Sequence, residues 1–249
     1  MPDATTILIL ATFLLAGTVK GVIGLGLPSV SLALLTVAID LPTAMALLLV
    51  PSFVTNLWQA LTGGNARLIL QRLWPFLLLA TVTIWIGASA LTRVNLSLLS
   101  ALLGALLMAY AGASLGGLRL SISPRQELWA GPLAGLVNGV LTGMTGSFVV
   151  PGVMFLQAIG LAREALIQAM GMLFALSTLA LAIALQRNAL LTAEHGLLSI
   201  SALLPALLGM VFGRWIRRRI SAQLFLKLFF ISLFLLGIYI IANASGNFG

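Results

Sequence analysis

The chain has 249 residues, of which 61% are hydrophobic and 7% charged, and its mean hydropathy is +1.16. No water-soluble domain of that length hides so much apolar surface. The lack of cysteine excludes disulfides and thiol chemistry, and one histidine with five acids makes a metal or catalytic cluster hard to assemble.

A bilayer core of roughly 30 Å takes roughly 20 residues per straight helix, so the chain has room for about eight to ten spans. With Asp3 and no basic residue ahead of the first apolar run, the N-terminus reads as a mature first helix rather than a cleaved secretory signal. Hydropathy places five apolar segments in the first half, at Thr6 to Val22, Pro28 to Ile39, Pro42 to Leu61, Leu73 to Leu91 and Leu96 to Leu115. Five more follow at Glu127 to Leu141, Phe148 to Ile159, Ala162 to Leu185, Ala193 to Val211 and Ala222 to Ala242. In each half the second segment is too short for a straight span and reads as half of a broken or re-entrant hairpin.

The halves also align. Leu41-Pro-Thr-Ala44 falls on Leu161-Ala-Arg-Glu164, and Gly21 falls on Gly139. The expected fold is therefore all-α, a polytopic membrane protein of about ten helical segments in two repeats, residues 1–120 and 121–249. An odd number of segments per repeat makes the second copy enter the membrane the other way round, giving inverted topology.

Charge placement tests that count, since cytoplasmic loops collect Lys and Arg. Alternating sides puts Lys20, Arg67, Arg72, Arg119, Arg125, Arg163, Arg214, Arg217, Arg218 and Arg219 together and leaves Arg93 and Arg187 opposite, with Lys227 able to snorkel to the crowded side. Both termini are then expected in the periplasm. The formal charge of +8 is read as contact with anionic lipid heads at basic cytoplasmic loops, not as nucleic-acid binding.

Chemistry concentrates where the helices break. The first break is Gly17-Thr-Val-Lys20-Gly21-Val-Ile-Gly24-Leu-Gly26-Leu-Pro28; the second runs from Gly135 through Asn138, Gly139, Thr142, Gly143, Thr145, Gly146 and Ser147 to Pro151. Glycines at four-residue spacing let membrane helices pack closely. Gly24, Gly26, Gly143 and Gly146 run on into expected non-helical tips, where hydrocarbon does not tolerate unpaired backbone N–H groups. Such N–H groups, with a helix starting near Pro28 or Ser147 pointing its positive end at the tip, make an anion site. Lys20 is either a counter-charge for an anionic substrate or a snorkelling surface residue. Ser29, Ser31, Asn138, Thr142, Thr145 and Ser147 offer hydrogen bonds to an oxyanion or to their own helices. Thr55, Asn56 and Gln59 form a polar patch in the third segment, with Gln168 in its counterpart; buried amides of this kind also glue helices together.

These residues resemble the TauE/SafE sulfite exporter family of bacterial membrane transporters, also called TSUP. The resemblance is carried by Gly17-x3-Gly21-x2-Gly24-x-Gly26-x-Pro28 with Leu41-Pro-Thr-Ala44, and by the second copy from Gly135 to Gly146 with Pro151 and Leu161-Ala-Arg-Glu164. It implies secondary transport of small sulfur-containing or organic anions, such as sulfite, sulfonates, sulfoacetate or thiosulfate, across the bacterial inner membrane. The two hairpins would build the substrate site, and the second, Thr142-Gly-Met-Thr-Gly-Ser147, is less uniformly glycine-rich than in many members.

The expected substrate contacts are Lys20, Gly24, Gly26, Ser29, Asn56, Asn138, Thr142, Gly143, Thr145, Gly146, Ser147 and Gln168, with no cofactor, no metal and no enzymatic activity. The alternatives are a passive anion channel and a structural membrane subunit. Asp40, Glu127, Glu164 and Glu194 lie at segment ends, where a solvated charge or an ion pair is expected rather than a proton relay, and His195 is expected on a short exposed loop.

Overall fold

A computed structural model describes residues 4–118 and 120–246; Asp3 and Arg119, used above in reading the termini and the charge split, lie outside them. The described residues form helices and turns with no strand: α1 (Ala4–Ile23), α2 (Leu27–Ala38), α3 (Leu41–Leu47), α4 (Leu49–Leu61), α5 (Ala66–Val82), α6 (Ile84–Ala88) with a 3-10 turn (Ser89–Thr92), α7 (Leu96–Leu115), α8 (Pro124–Thr145), α9 (Gly152–Ala158), α10 (Arg163–Arg187), α11 (Ala193–Arg217) and α12 (Ala222–Gly246). Six of these helical stretches are long and apolar enough to cross a membrane, or seven if the bent pair α3 and α4 is one span. α8 is not among the six; its first turn holds Arg125 and Glu127 and its body is rich in glycine. Many large apolar side chains face outward, among them Leu15, Trp58, Leu204 and Leu235, as a lipid-facing surface requires.

Most helices outrun the apolar windows expected for them, because they continue into polar flanks. α8 starts at Pro124 with a Ser123–Gln126 capping box, and α11 continues to Arg217.

The third segment, expected unbroken, bends by 45° between α3 and α4. Pro51 has no N–H, so the Leu47 carbonyl loses its helical donor. Ser199 of α11 donates to that carbonyl at 2.8 Å and accepts from the Val50 N–H at 3.0 Å. One buried hydroxyl thus closes the break.

The chain divides into two compact units. Unit 1 holds residues 1–51, 94–117 and 190–249, and unit 2 holds residues 52–93 and 118–189. In unit 1, α1 packs on α11 and α7 on α12. A Cβ on Gly17 would strike the Ala206 carbonyl and one on Gly21 the Met210 carbonyl, while one on Gly213 would strike the Thr18 carbonyl. The contacts advance in the same direction along both helices, so the seam is parallel, with backbone against backbone. In unit 2, α8 packs the same way on α5 and α6: Gly135 lies against Phe76, Gly139 against Ala80 and Thr83, and Gly143 against Ile84 and Gly87. The Thr83 hydroxyl lies between two acceptors, the Leu79 carbonyl one turn earlier at 2.8 Å and the Leu136 carbonyl across the seam at 3.0 Å.

Acids at the helix ends serve the fold. Asp40 caps α3 by accepting from the Thr43 N–H at 2.9 Å. Glu127 pairs with Arg72 of α5 through two bonds of 2.8 and 2.7 Å, and Arg72 also donates to the Ile159 carbonyl.

Candidate functional site

The first hairpin belongs to unit 1. α1 runs to Ile23, and the Gly24 N–H closes on the Lys20 carbonyl at 2.8 Å. That amide, expected to be free, is spent on the helix end. Gly24 and Gly26 take φ of +82° and +104°, a left-handed region that side chains resist. At Gly26 a Cβ would also press on Val19 and Phe229. The tip is therefore three residues long, and α2 begins at Leu27 with no side chain capping its first turn. The N–H groups of Leu27 and Ser29 have no acceptor within the helix, and Pro28 has none to offer. Lys20 and Ser29 are each 4% exposed. Ser31 turns its hydroxyl back to Leu27 and Pro28.

The second hairpin belongs to unit 2 and is built differently. α8 continues through Thr145, so Thr142, Gly143 and Thr145 are helical and not part of a tip. Gly146, at φ +72°, is the left-handed C-cap, and its N–H bonds the Thr142 carbonyl at 2.7 Å. The following helix starts at Gly152, not near Ser147, because residues 147–151 form an extended turn ending at Pro151. The backbone N–H groups of Gly143 and Gly146, expected to line an anion site, are thus absorbed by the end of α8.

Side chains take over the accounting at this turn. Thr142 donates to the Ser147 carbonyl at 2.9 Å, Thr145 donates to the Leu141 carbonyl at 2.7 Å, and Thr145 Oγ1 accepts from the Ser147 N–H at 3.2 Å. Both hydroxyl hydrogens are committed, so these threonines shape the turn and do not offer donors to a ligand. Asn138, one helical turn before Thr142 and fully buried, accepts the Gly152 N–H on Oδ1 at 2.9 Å and so caps α9. Its Nδ2 has no hydrogen-bond partner, nor does Ser147 Oγ. Buried donors left unmade are costly, at about 1–3 kcal/mol each. These two atoms are the buried hydrogen-bonding groups that the end of α8 and the turn after it leave unused.

The turn rests on α10, with Phe148 against Phe174 at 5.8 Å between ring centroids and Gly152 against Leu173. On the same helix Thr178 donates to the Phe174 carbonyl and lies 3.4 Å from Ser52, whose Oγ accepts from Asn56 Nδ2 at 3.0 Å. Ser177 Oγ is buried without a partner. Sequence reading singled out Asn56 but missed Ser52, Ser177, Thr178 and Ser199. Ser52 lies one turn before Asn56, and Ser177-Thr178 is a polar dipeptide inside an apolar run, so each carried a local signal.

Gln168 occupies a different place. Its Oε1 accepts from the Asn65 N–H and its Nε2 donates to the Ala60 carbonyl, both at 2.8 Å, while Gln59 donates to the Ile167 carbonyl at 2.7 Å. The two glutamines clamp α4 to α10, which matches the gluing role weighed for buried amides.

The family model described as Sulfite exporter TauE/SafE matches residues 9–240. No curated protein and no solved structure matches the chain.

Proposed function

The chain belongs to the sulfite exporter TauE/SafE family, and on that premise we propose that it is a secondary transporter of small sulfur-containing or organic anions, of the sulfite, sulfonate, sulfoacetate and thiosulfate class, in a bacterial inner membrane with both termini periplasmic. The observation that carries this reading is the turn after α8, where Asn138 Nδ2 and Ser147 Oγ are buried donors without partners. Neutral donors of this kind bind an oxyanion without burying a second charge. In the other unit, Lys20 is a buried cation beside a tip whose next helix starts uncapped, a combination that favours anions over cations.

The mechanism we infer is alternating access by two inverted repeats of five segments. The pattern of seams supports it. Counting expected segments, α1 on α11 joins the first to the ninth, and α8 on α5–α6 joins the sixth to the fourth. Adding five turns one pairing into the other, and both seams are parallel and glycine-lined.

Purified protein in proteoliposomes tests the reading. Saturable sulfite or sulfonate uptake, accelerated by the same anion on the far side, is expected. A macroscopic current under an anion gradient without saturation would establish the channel reading instead, and no flux of any of these anions would favour a structural subunit.

A further inference from the structure

One feature of unit 2 has no part in anion transport as described. A cavity of about 540 Å³ opens between the early turns of α5 and α8, with Leu73, Phe76, Leu128, Gly131 and Phe155 in its apolar wall and Arg72 and Glu127 in its lining. A second opening of about 580 Å³ shares Gln71 and Arg72 with it and reaches Arg67, Gly64 and Asn65. A basic rim therefore leads into an apolar hole.

Three observations identify what fits. The first is charge: Glu127 engages Arg72 through Nε and Nη2, which leaves Nη1 and the exposed Arg67 for a further acceptor and a net positive rim. The second is the backbone, because Pro75 and Pro132 carry no N–H and the carbonyls one turn earlier, on Gln71 and Leu128, lose their helical donors. Both of those residues line the cavity, and a headgroup hydroxyl or amine is a donor of the kind these carbonyls lack. The third is depth: Trp74 and Trp129, next to these residues in sequence, are 58% and 61% exposed, and exposed tryptophans on a membrane protein gather at the headgroup level.

We propose that this cavity is a binding site for an acidic phospholipid. Its phosphate lies on Arg67 and Arg72, its headgroup hydroxyls meet the Gln71 and Leu128 carbonyls, and one acyl chain enters along Phe76 and Phe155. A free phosphate would use the rim and leave the apolar cavity unexplained. A zwitterionic lipid would bring a second positive charge to a rim that is already cationic.

Native mass spectrometry of the purified protein with added phosphatidylglycerol or phosphatidylcholine reads the site without reference to transport. Phosphatidylglycerol is expected to be retained at least fivefold better, and Arg67→Gln, an exposed change in the first turn of α5, to weaken that retention about fivefold, as removal of one basic contact near a membrane surface predicts. Leu128→Glu, at a position 80% exposed, is expected to weaken it further by repelling the phosphate and wetting the tail wall. Equal retention of the two lipids, unchanged retention in Arg67→Gln, or displacement of the lipid by millimolar inorganic phosphate would each overturn the proposal.

Discussion

Asn138 in α8 and Ser147 in the turn that follows it predict opposite responses to truncation. Ser147 Oγ makes no bond within the protein, so Ser147→Ala removes an unsatisfied buried hydroxyl. Thermal stability is expected to stay level or rise slightly, while anion affinity falls about tenfold or more, the loss typical of a hydrogen bond to a charged group. Asn138→Ala also removes the cap on Gly152 and strands a buried N–H, so it should cost about 1–3 kcal/mol of stability in addition to affinity. Paired measurements of melting temperature and uptake separate the two, and wild-type uptake by folded Ser147→Ala protein would remove Ser147 from the site. Lys20→Met tests the charge. The methionine keeps much of the length and needs no water, so monodisperse protein with anion uptake near background is the expected result.

At the scale of elements, the glycine seams determine what the helices tolerate. In Gly139→Ala the new methyl would meet Thr83 Oγ1 and the Ala80 carbonyl. Backbone atoms in a parallel seam have little freedom to move aside, so a loss of about 1–3 kcal/mol or more is expected, read as a lower melting temperature in detergent. Gly196 in α11 has nothing within reach, and Gly196→Ala should be neutral or stabilising by up to about 1 kcal/mol. Both glycines are helical, so propensity alone would rank the substitutions alike. The four-residue spacing from Gly131 to Gly143 made the α8 seam legible in the sequence as a packing stripe, but its partner, α5 with α6, carries only Gly87 and was not legible. The bend after α3 was missed for a similar reason: Pro51 announces a lost hydrogen bond, but the residue that repairs it, Ser199, is distant in sequence. The second hairpin was read too early because glycine at 143 and 146 looks alike on paper. Only the torsion angles distinguish a helical glycine packed on Gly87 from a left-handed cap.

For the whole molecule, composition alone carried the membrane assignment, and the basic residues give a topology that can be tested cleanly because the chain has no cysteine. α11 has 25 residues, about 37 Å at 1.5 Å per residue, which exceeds a hydrocarbon core of roughly 30 Å. On the proposed topology the loop before it and the loop after it face opposite solutions. Arg214, Arg217, Arg218 and Arg219 crowd its C-terminal end, while Glu194 and His195 occupy its first turn, so the proposed topology puts the C-terminal end in the cytoplasm by the positive-inside rule. By the same alternation Val94, between the 3-10 turn and α7, is expected outside. Single-cysteine variants Ser221→Cys and Val94→Cys should therefore react with a membrane-impermeant maleimide from opposite sides, the first only in inside-out vesicles and the second only in intact spheroplasts. An even number of segments between the two positions would put both labels on one face. Labelling from the same side would thus break the ten-segment count and the inverted repeat with it, whereas exchange of the two sides would keep the repeat and reverse its orientation in the membrane.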